Sequence, residues 1–365
     1  MGERTQPGGL IGKEAAPVMV AAAVAAYASP ALTLAGACPA PEDSHDAGVP
    51  WHYGDPHAEQ LRLLEGVGAV DLSHRAVVRI AGPDRRSWLH TITTQHLSDL
   101  PAGQSTTTLV LSPNGHVEHE LHVVDDGEAT WLIVEAAAVP GLLDYLASMR
   151  FMLRVEVTDV TADWAVVGEP DRPGGEPELA WRSPSQFAEP GGADAVTTGY
   201  VPHRPAPWAV RETLVPRESL SARLAASGAP AGTWAWEANR VAAGVPRLGY
   251  ETDHRTIPHE VGWVPAAVHL QKGCYRGQET VARVHNLGRP PRRLVLLHLD
   301  GSDDRDPVSG DAVELAGRAV GRVTSVARHH ELGPIALAVI KRSVPADATL
   351  TAGGVAAAQE IVVAP

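Results

Sequence analysis

Cysteine is nearly missing from this chain: Cys38 and Cys274 are the only two in 365 residues. Two thiols cannot build a disulfide framework, an all-cysteine metal site or a four-thiolate iron–sulfur cluster within one chain. A reducing, cytoplasmic setting and a free thiol at Cys274 are the expectation. Positive charge is also short, the formal net charge being −13. General nucleic-acid binding and attachment to a membrane surface need a basic face, and the composition argues against both. The body of the chain holds no run of 18 or more apolar residues of the kind that crosses a membrane. What is present is 44% hydrophobic residues over a length suited to two or three domains. That describes a globular protein with real cores.

Residues 1–48 stand apart. From Ala15 to Ala40 there is no charged residue, and Ala, Val and Pro dominate. With Arg4 and Lys13 ahead of it and Ala35-Gly36-Ala37 near its end, the stretch imitates an export signal. Glu3, Glu14, Pro17 and Pro30 speak against that. The plainer expectation is a disordered extension or an over-called start, with the folded part beginning near Trp51.

Residues 58–68 read as a helix closed by Gly66 or Gly68. A strand is expected over 76–80, a turn at Gly82-Pro83-Asp84, and a helix capped by Asp84 that runs through Trp88 and Ile92. Residues 106–111 and 117–124 form a hairpin around Asn114-Gly115. The period of two puts Val117, His119, Leu121 and Val123 on one face of the second strand. His116, Glu118, Glu120 and His122 share the other face. That stripe can bind a metal, but a solvated face explains it more simply. Strand, helix and strand follow at 131–135, 142–149 and 153–158, which suggests an α+β domain with antiparallel sheet. The stretch 171–190, rich in Gly, Pro and Glu, reads as a loop with no usable chemistry.

Residues 229–246 predict a helix that stops at Gly244. Trp236 and Arg240 lie four apart on one face of it. With Glu237 they can clamp a flat heteroaromatic ring, or form an ordinary cation–π pair. After Pro291, short apolar strands punctuated by Gly, Pro and Asp predict a small β-barrel. Arg283, Arg289, Arg292 and Arg293, with Lys272 and Arg276, form a basic cluster in an acidic protein. It suits an anionic tail or partner, or is a set of solvated loop charges.

The most unusual stretch is Lys272-Gly273-Cys274-Tyr275-Arg276-Gly277-Gln278-Glu279. Two glycines permit a sharp turn or a close ligand approach. Around them sit a thiol, an amide, a carboxylate and two cations. A helix follows and stops at Gly288, so Cys274 falls in a turn just ahead of a helix N-terminus. Such a place favours a thiolate or a bound anion.

The octet resembles the signature of the YgfZ family, folate-binding iron–sulfur maintenance proteins related to the aminomethyltransferase (T-protein) of glycine cleavage. The Asp71-Leu72-Ser73-His74 segment, the Trp88-Leu89 helix, Arg240 followed by Gly244-Val245-Pro246, Ile257-Pro258-His259-Glu260 and Gly321-Arg322-Val323 resemble family segments, in family order over about residues 51–365. The resemblance implies an α+β, T-protein-like three-domain fold with antiparallel sheets and a C-terminal small β-barrel. Its segments would be 1–48 (extension), 49–165, 166–288 and 289–365 (barrel). It further implies a tetrahydrofolate (or one-carbon derivative) cofactor and iron–sulfur client or assembly proteins as partners. Trp236, Arg240 and Glu260 would supply part of the pterin slot, with Cys274, Lys272 and Gln278 at its opening. Where the T-protein strand carries an Asp-Asp pair used on folate, this chain has His119 and Glu120. Aminomethyl transfer or demethylation therefore depends on Glu120 pointing inward. A thiol-dependent hydrolase using Cys274 with His254 or His259 is a third class, resting on sequence proximity alone.

Overall fold

The hairpin at Asn114-Gly115 forms as its sequence requires. Gly115 takes a left-handed φ of 78°, and its N–H donates to Ser112 O at 2.9 Å. In the computed structural model, which describes residues 28–172, 179–188, 206–264, 266–302 and 305–364, this hairpin begins a five-stranded antiparallel sheet. The strand order is Gln104–Leu111, Val117–Asp125, Ala129–Val134, Ala76–Ala81, Glu156–Asp159. One face is covered by the helices Arg85–Ile92 and Val139–Met149. Trp88, Leu89, Leu142 and Leu146 there meet Ile80, Leu121 and Val123 of the sheet. Asp84 precedes the first of these helices but makes no side-chain cap bond. Its carboxylate is taken by Arg154, at 2.8 Å.

A second five-stranded sheet runs Ala180–Arg182, Val210–Pro216, Trp164–Pro170, Ala69–Asp71, Pro230–Ala231. All pairings are antiparallel except the last, where Pro230–Ala231 lies parallel to Ala69–Asp71. The strand Ala69–Asp71 thus precedes every strand of the first sheet in the chain yet pairs in the second. The stretch 171–190 is not simply a loop. Its described part contains the strand Ala180–Arg182 and the short helix Ser185–Ala188. The large core lies between the two sheets and receives the helix Thr233–Ala242, which buries Ala235, Trp236, Ala238 and Val241.

The last third closes into a six-stranded barrel: Arg292–Leu299, Gly333–Lys341, Arg318–His329, Ala312–Leu315, Leu350–Ala352, Val355–Ile361. Val295, Leu297, Val313, Val323, Ala338 and Ile340 fill its interior. This is the α+β class with antiparallel sheets and a terminal small barrel that the sequence predicts. Among the described residues no helix is long and apolar enough to cross a membrane.

The folded part starts earlier than Trp51. Cys38–Pro39 pairs with Pro50–His52, and Ala31 and Val49 are wholly buried. Ser29 bonds Asp71, and Asp46 is buried against Arg247 and His74. Residues 28–48 are therefore part of the packed structure. The first 27 residues, most of the export-signal reading among them, lie outside the described residues.

Candidate functional site

A cavity of about 40 Å³ opens between the two sheets and the helix Thr233–Ala242. Its floor is built by alternation on the strand Val117–Asp125. His119 and Leu121 turn toward the helices of the first sheet, while Glu120 and His122 turn into the cavity. Across from them the second sheet contributes Trp181 and Glu212. The indole of Trp181 lies face to face with the His122 imidazole, centroids 3.6 Å apart and planes 5° from parallel. Trp181 Nε1 donates to Thr107 Oγ1 at 3.2 Å, which fixes the indole plane. His122 Nδ1 donates to Glu212 at 2.8 Å, its Nε2 stands 3.7 Å from Glu120, and Arg75 pairs with the other oxygen of Glu212.

The far wall is a lattice of buried ions. Arg240 donates to Glu237 at 2.8 Å, Glu251 at 3.1 Å and Ser325 of the barrel at 2.8 Å. Arg247 donates to Glu135 at 2.7 Å and Asp46 at 2.8 Å. Burial alone would raise the carboxyls of Glu212 and Glu135. The guanidinium groups of Arg75 and Arg247 win, together with His122 at Glu212, and hold both near 2. Burial likewise opposes the charge on His122. Glu212 and Glu120 overcome it and push the imidazolium up to about 9. The cavity therefore carries fixed, paired charges and one aromatic wall, able to orient a flat ring that bears N–H donors.

Of the residues proposed from sequence, Glu120, Trp236 and Arg240 line this cavity. Arg240 does not stack on Trp236: its guanidinium lies over Tyr250, 5.7 Å from the ring centroid. Trp236 meets Trp208 edge-on at 4.8 Å, and behind that pair is a second, more apolar cavity of about 160 Å³. Glu260 lies elsewhere. It is buried, accepts from Ile257 N at 3.2 Å and pairs with Arg292 at 2.8 Å, which holds the turn Pro258–Val261 against the barrel. His119 sits in the first sheet's core, where burial lowers it to about 4. His259 is buried beside His285, and His254 is exposed. The His-Glu-Glu-His stripe is not a plain solvated face, since its inner half walls the cavity. Among the described residues no cluster of His, Cys, Asp or Glu is arranged to hold a metal.

The octet forms the expected turn ahead of the helix Gln278–Leu287, with Cys274 exposed. Lys272 donates to the carbonyls of His90 and Thr93 at the end of the helix Arg85–Ile92, and burial lowers it to about 8. Cys274, Lys272 and Gln278 are outside the cavity lining. The octet reaches the cavity strand through Arg276, which pairs with Glu118 at 3.1 Å. Glu118 sits where the register of the hairpin shifts by one residue, so the alternation that turns Glu120 into the cavity does not extend to it, and Arg276 lies over Tyr145 on the helix side of the sheet. The basic cluster is partly spent as well, Arg276 on Glu118 and Arg292 on Asp253 and Glu260.

Trp181, Glu212, Arg75 and Arg247 are among the cavity residues that the sequence reading passes over. Glu212 does carry a signal, a carboxylate inside Val210-Arg211-Glu212-Thr213-Leu214 that must be buried if that run is a strand. Trp181 carries only the general one, a tryptophan within a polar stretch.

A family model described as the GCVT N-terminal domain matches residues 43–168. The aminomethyltransferase of Rubrobacter xylanophilus is 30% identical over 298 residues, covering 78% of each chain. That of Streptomyces coelicolor is 26% identical over 319 residues, covering 80% of this chain and 83% of that protein. A putative chloroplastic transferase of Arabidopsis thaliana is 27% identical over 283 residues. That match spans 62% of the plant protein, under two thirds of its length. The crystal structure of glycine cleavage system aminomethyltransferase T from Bartonella henselae superposes with a TM-score of 0.69 at 18% identity, covering 90% of this chain and 93% of that one.

Proposed function

Because the chain belongs to the aminomethyltransferase family, we propose that it is a tetrahydrofolate-binding protein of that family acting in the assembly or maintenance of iron–sulfur proteins. The observation that carries the folate half is the cavity wall formed by Trp181, Glu120 and Glu212. The aminopyrimidinone edge of a pterin offers adjacent N–H donors, which a buried carboxylate accepts well, and its flat ring suits an indole face. Glu212 and Glu120 would hold that edge, Trp181 would stack on the ring, and Trp236 and Arg240 would close the far side. Bound folate supplies a one-carbon carrier. The chain's residues orient it and keep water away.

The iron–sulfur half rests on the Lys-Gly-Cys octet. Cys274 is exposed in the turn that leads into the helix Gln278–Leu287, and it would serve a client rather than the folate slot directly. Cys274→Ser should leave the melting temperature unchanged and abolish maintenance of an iron–sulfur enzyme in cells. Unchanged enzyme activity would remove the thiol from the mechanism. Calorimetry with tetrahydrofolate under reducing conditions tests the first half, and absence of binding would sink it. Aminomethyl transfer is the second reading, favoured by one observation: Glu120 does face the cavity. Turnover of an aminomethylated carrier protein in the presence of tetrahydrofolate separates the two.

A further inference from the structure

We propose that His122 sets what this cavity admits: its ring occupies the slot of a flat, donor-bearing heterocycle, and a ligand enters by displacing it. The inference deepens the folate reading and takes from it only that the cavity receives a flat ring. At about 40 Å³ the open volume has room for roughly three waters. A ring that is to stack on the Trp181 face and bond Glu212 must take the place His122 now holds. The imidazole is already the kind of group such a slot would bind. It is planar, 3.6 Å from the Trp181 indole and nearly parallel to it, with one nitrogen on Glu212 and the other facing Glu120.

The surrounding groups decide which side chain can go. Arg75 from the segment before the strand Ala76–Ala81, Glu135 after the strand Ala129–Val134, and Arg240 and Arg247 from the second half all face the same space. Arg240 and Arg247, like His122, are held by carboxylates, but a guanidinium must carry its charge with it on leaving, whereas an imidazolium can shed its proton. When His122 swings out, Glu212 keeps Arg75. Glu120 and the vacated lone pairs of Glu212 then accept from the ligand's N–H groups.

Displacement carries a proton with it. In the closed slot the imidazole holds its proton up to about pH 9, whereas a solvated histidine releases it near 6.5. A neutral ligand therefore binds with release of up to one proton between those values. Its dissociation constant falls as pH rises, by at most tenfold per unit.

The experiment measures 5-formyltetrahydrofolate affinity by calorimetry from pH 6 to 9.5, for the full chain and two variants. For the unaltered protein the dissociation constant should fall about a hundredfold between pH 6.5 and 9. His122→Ala should bind more tightly at pH 7 and show no slope. His122→Gln, which keeps a donor toward Glu212 without titrating, should lose the slope while keeping the fold. A flat profile in the unaltered protein, or an equal slope in His122→Gln, overturns the proposal. A second readout does not depend on folate: imidazole at millimolar concentration should shift the Trp181 indole N–H resonance in His122→Ala and leave it in place in the unaltered protein. That shift without folate binding in any variant keeps the slot and rejects the folate reading. No shift rejects the slot.

Discussion

Arg75, Arg240, Arg247 and His122 are ions held out of water, and desolvating each costs several kcal/mol. Carboxylates offset that cost, so removing one exposes it. Glu212→Gln leaves Arg75 and the imidazolium facing a neutral amide. Chemical unfolding should show a loss of about 3–5 kcal/mol, and NMR titration should place His122 back toward its ordinary value. The opposite case is His119, His259 and His329, each lowered to about 4 chiefly by burial. In the unfolded chain each takes a proton near pH 6.5. Between pH 6.5 and 4 the unfolded state binds more protons, so stability falls as the pH drops through that window. His122 runs the other way: its contribution is full below pH 6.5 and is lost as the pH rises through about 9. A urea midpoint that holds constant from pH 6.5 to 4.5 would contradict this account. The inward turn of Glu120 is legible in the alternation of His119-Glu120-Leu121-His122. Val117, expected on the face of Leu121 and Val123, instead joins the core between the sheets, because the register shifts at Glu118. The partners of His122 are not legible, because Glu212 and Trp181 come from strands far along the chain, Glu212 90 positions away, and no local period links them.

Among the elements, the hairpin, the helices Pro56–Leu64, Arg85–Ile92, Val139–Met149, Thr233–Ala242 and Gln278–Leu287, and the barrel strands follow from turn residues and apolar spacing, whereas Ser185–Ala188 and Leu220–Ala226 do not. The strands Ala69–Asp71 and Ala180–Arg182 do not, since three residues are too few to show a period. The octet's turn follows from its glycines, but its seat does not. Gly277 has φ 82°, and a Cβ there would stand 2.6 Å from Ser112 O and 2.9 Å from Gly115 Cα. Gly115 is equally closed, its Cβ position 2.6 Å from Thr280 Cβ. The hairpin tip and the octet are thus pressed together with no room for a side chain. Gly277→Ala combines a left-handed φ with a backbone clash and should cost about 1–3 kcal/mol. The loss should appear first as faster amide exchange in the helix Gln278–Leu287. Unchanged exchange there would mean that the octet is held by other contacts.

For the molecule as a whole, the segment before Trp51 is structural. Asp46 neutralises Arg247 and pairs with His74, joining the early chain to the wall of the cavity. Asp46→Ala should lower stability by about 3–5 kcal/mol, and a chain shortened to begin at residue 49 should melt at a markedly lower temperature than one beginning at residue 28. Equal melting temperatures would show that the segment only decorates the surface. Composition could not reveal this, because an Ala- and Pro-rich run carries no period and its worth lies in one aspartate that meets an arginine 201 positions away. The two glycines that seat the octet on the hairpin tip have a mechanical consequence. The ribbon that ends at that tip carries Glu120 and His122, both of which face the cavity. A displacement of the turn that carries the exposed Cys274 is therefore passed directly to the hairpin whose second strand holds the imidazole.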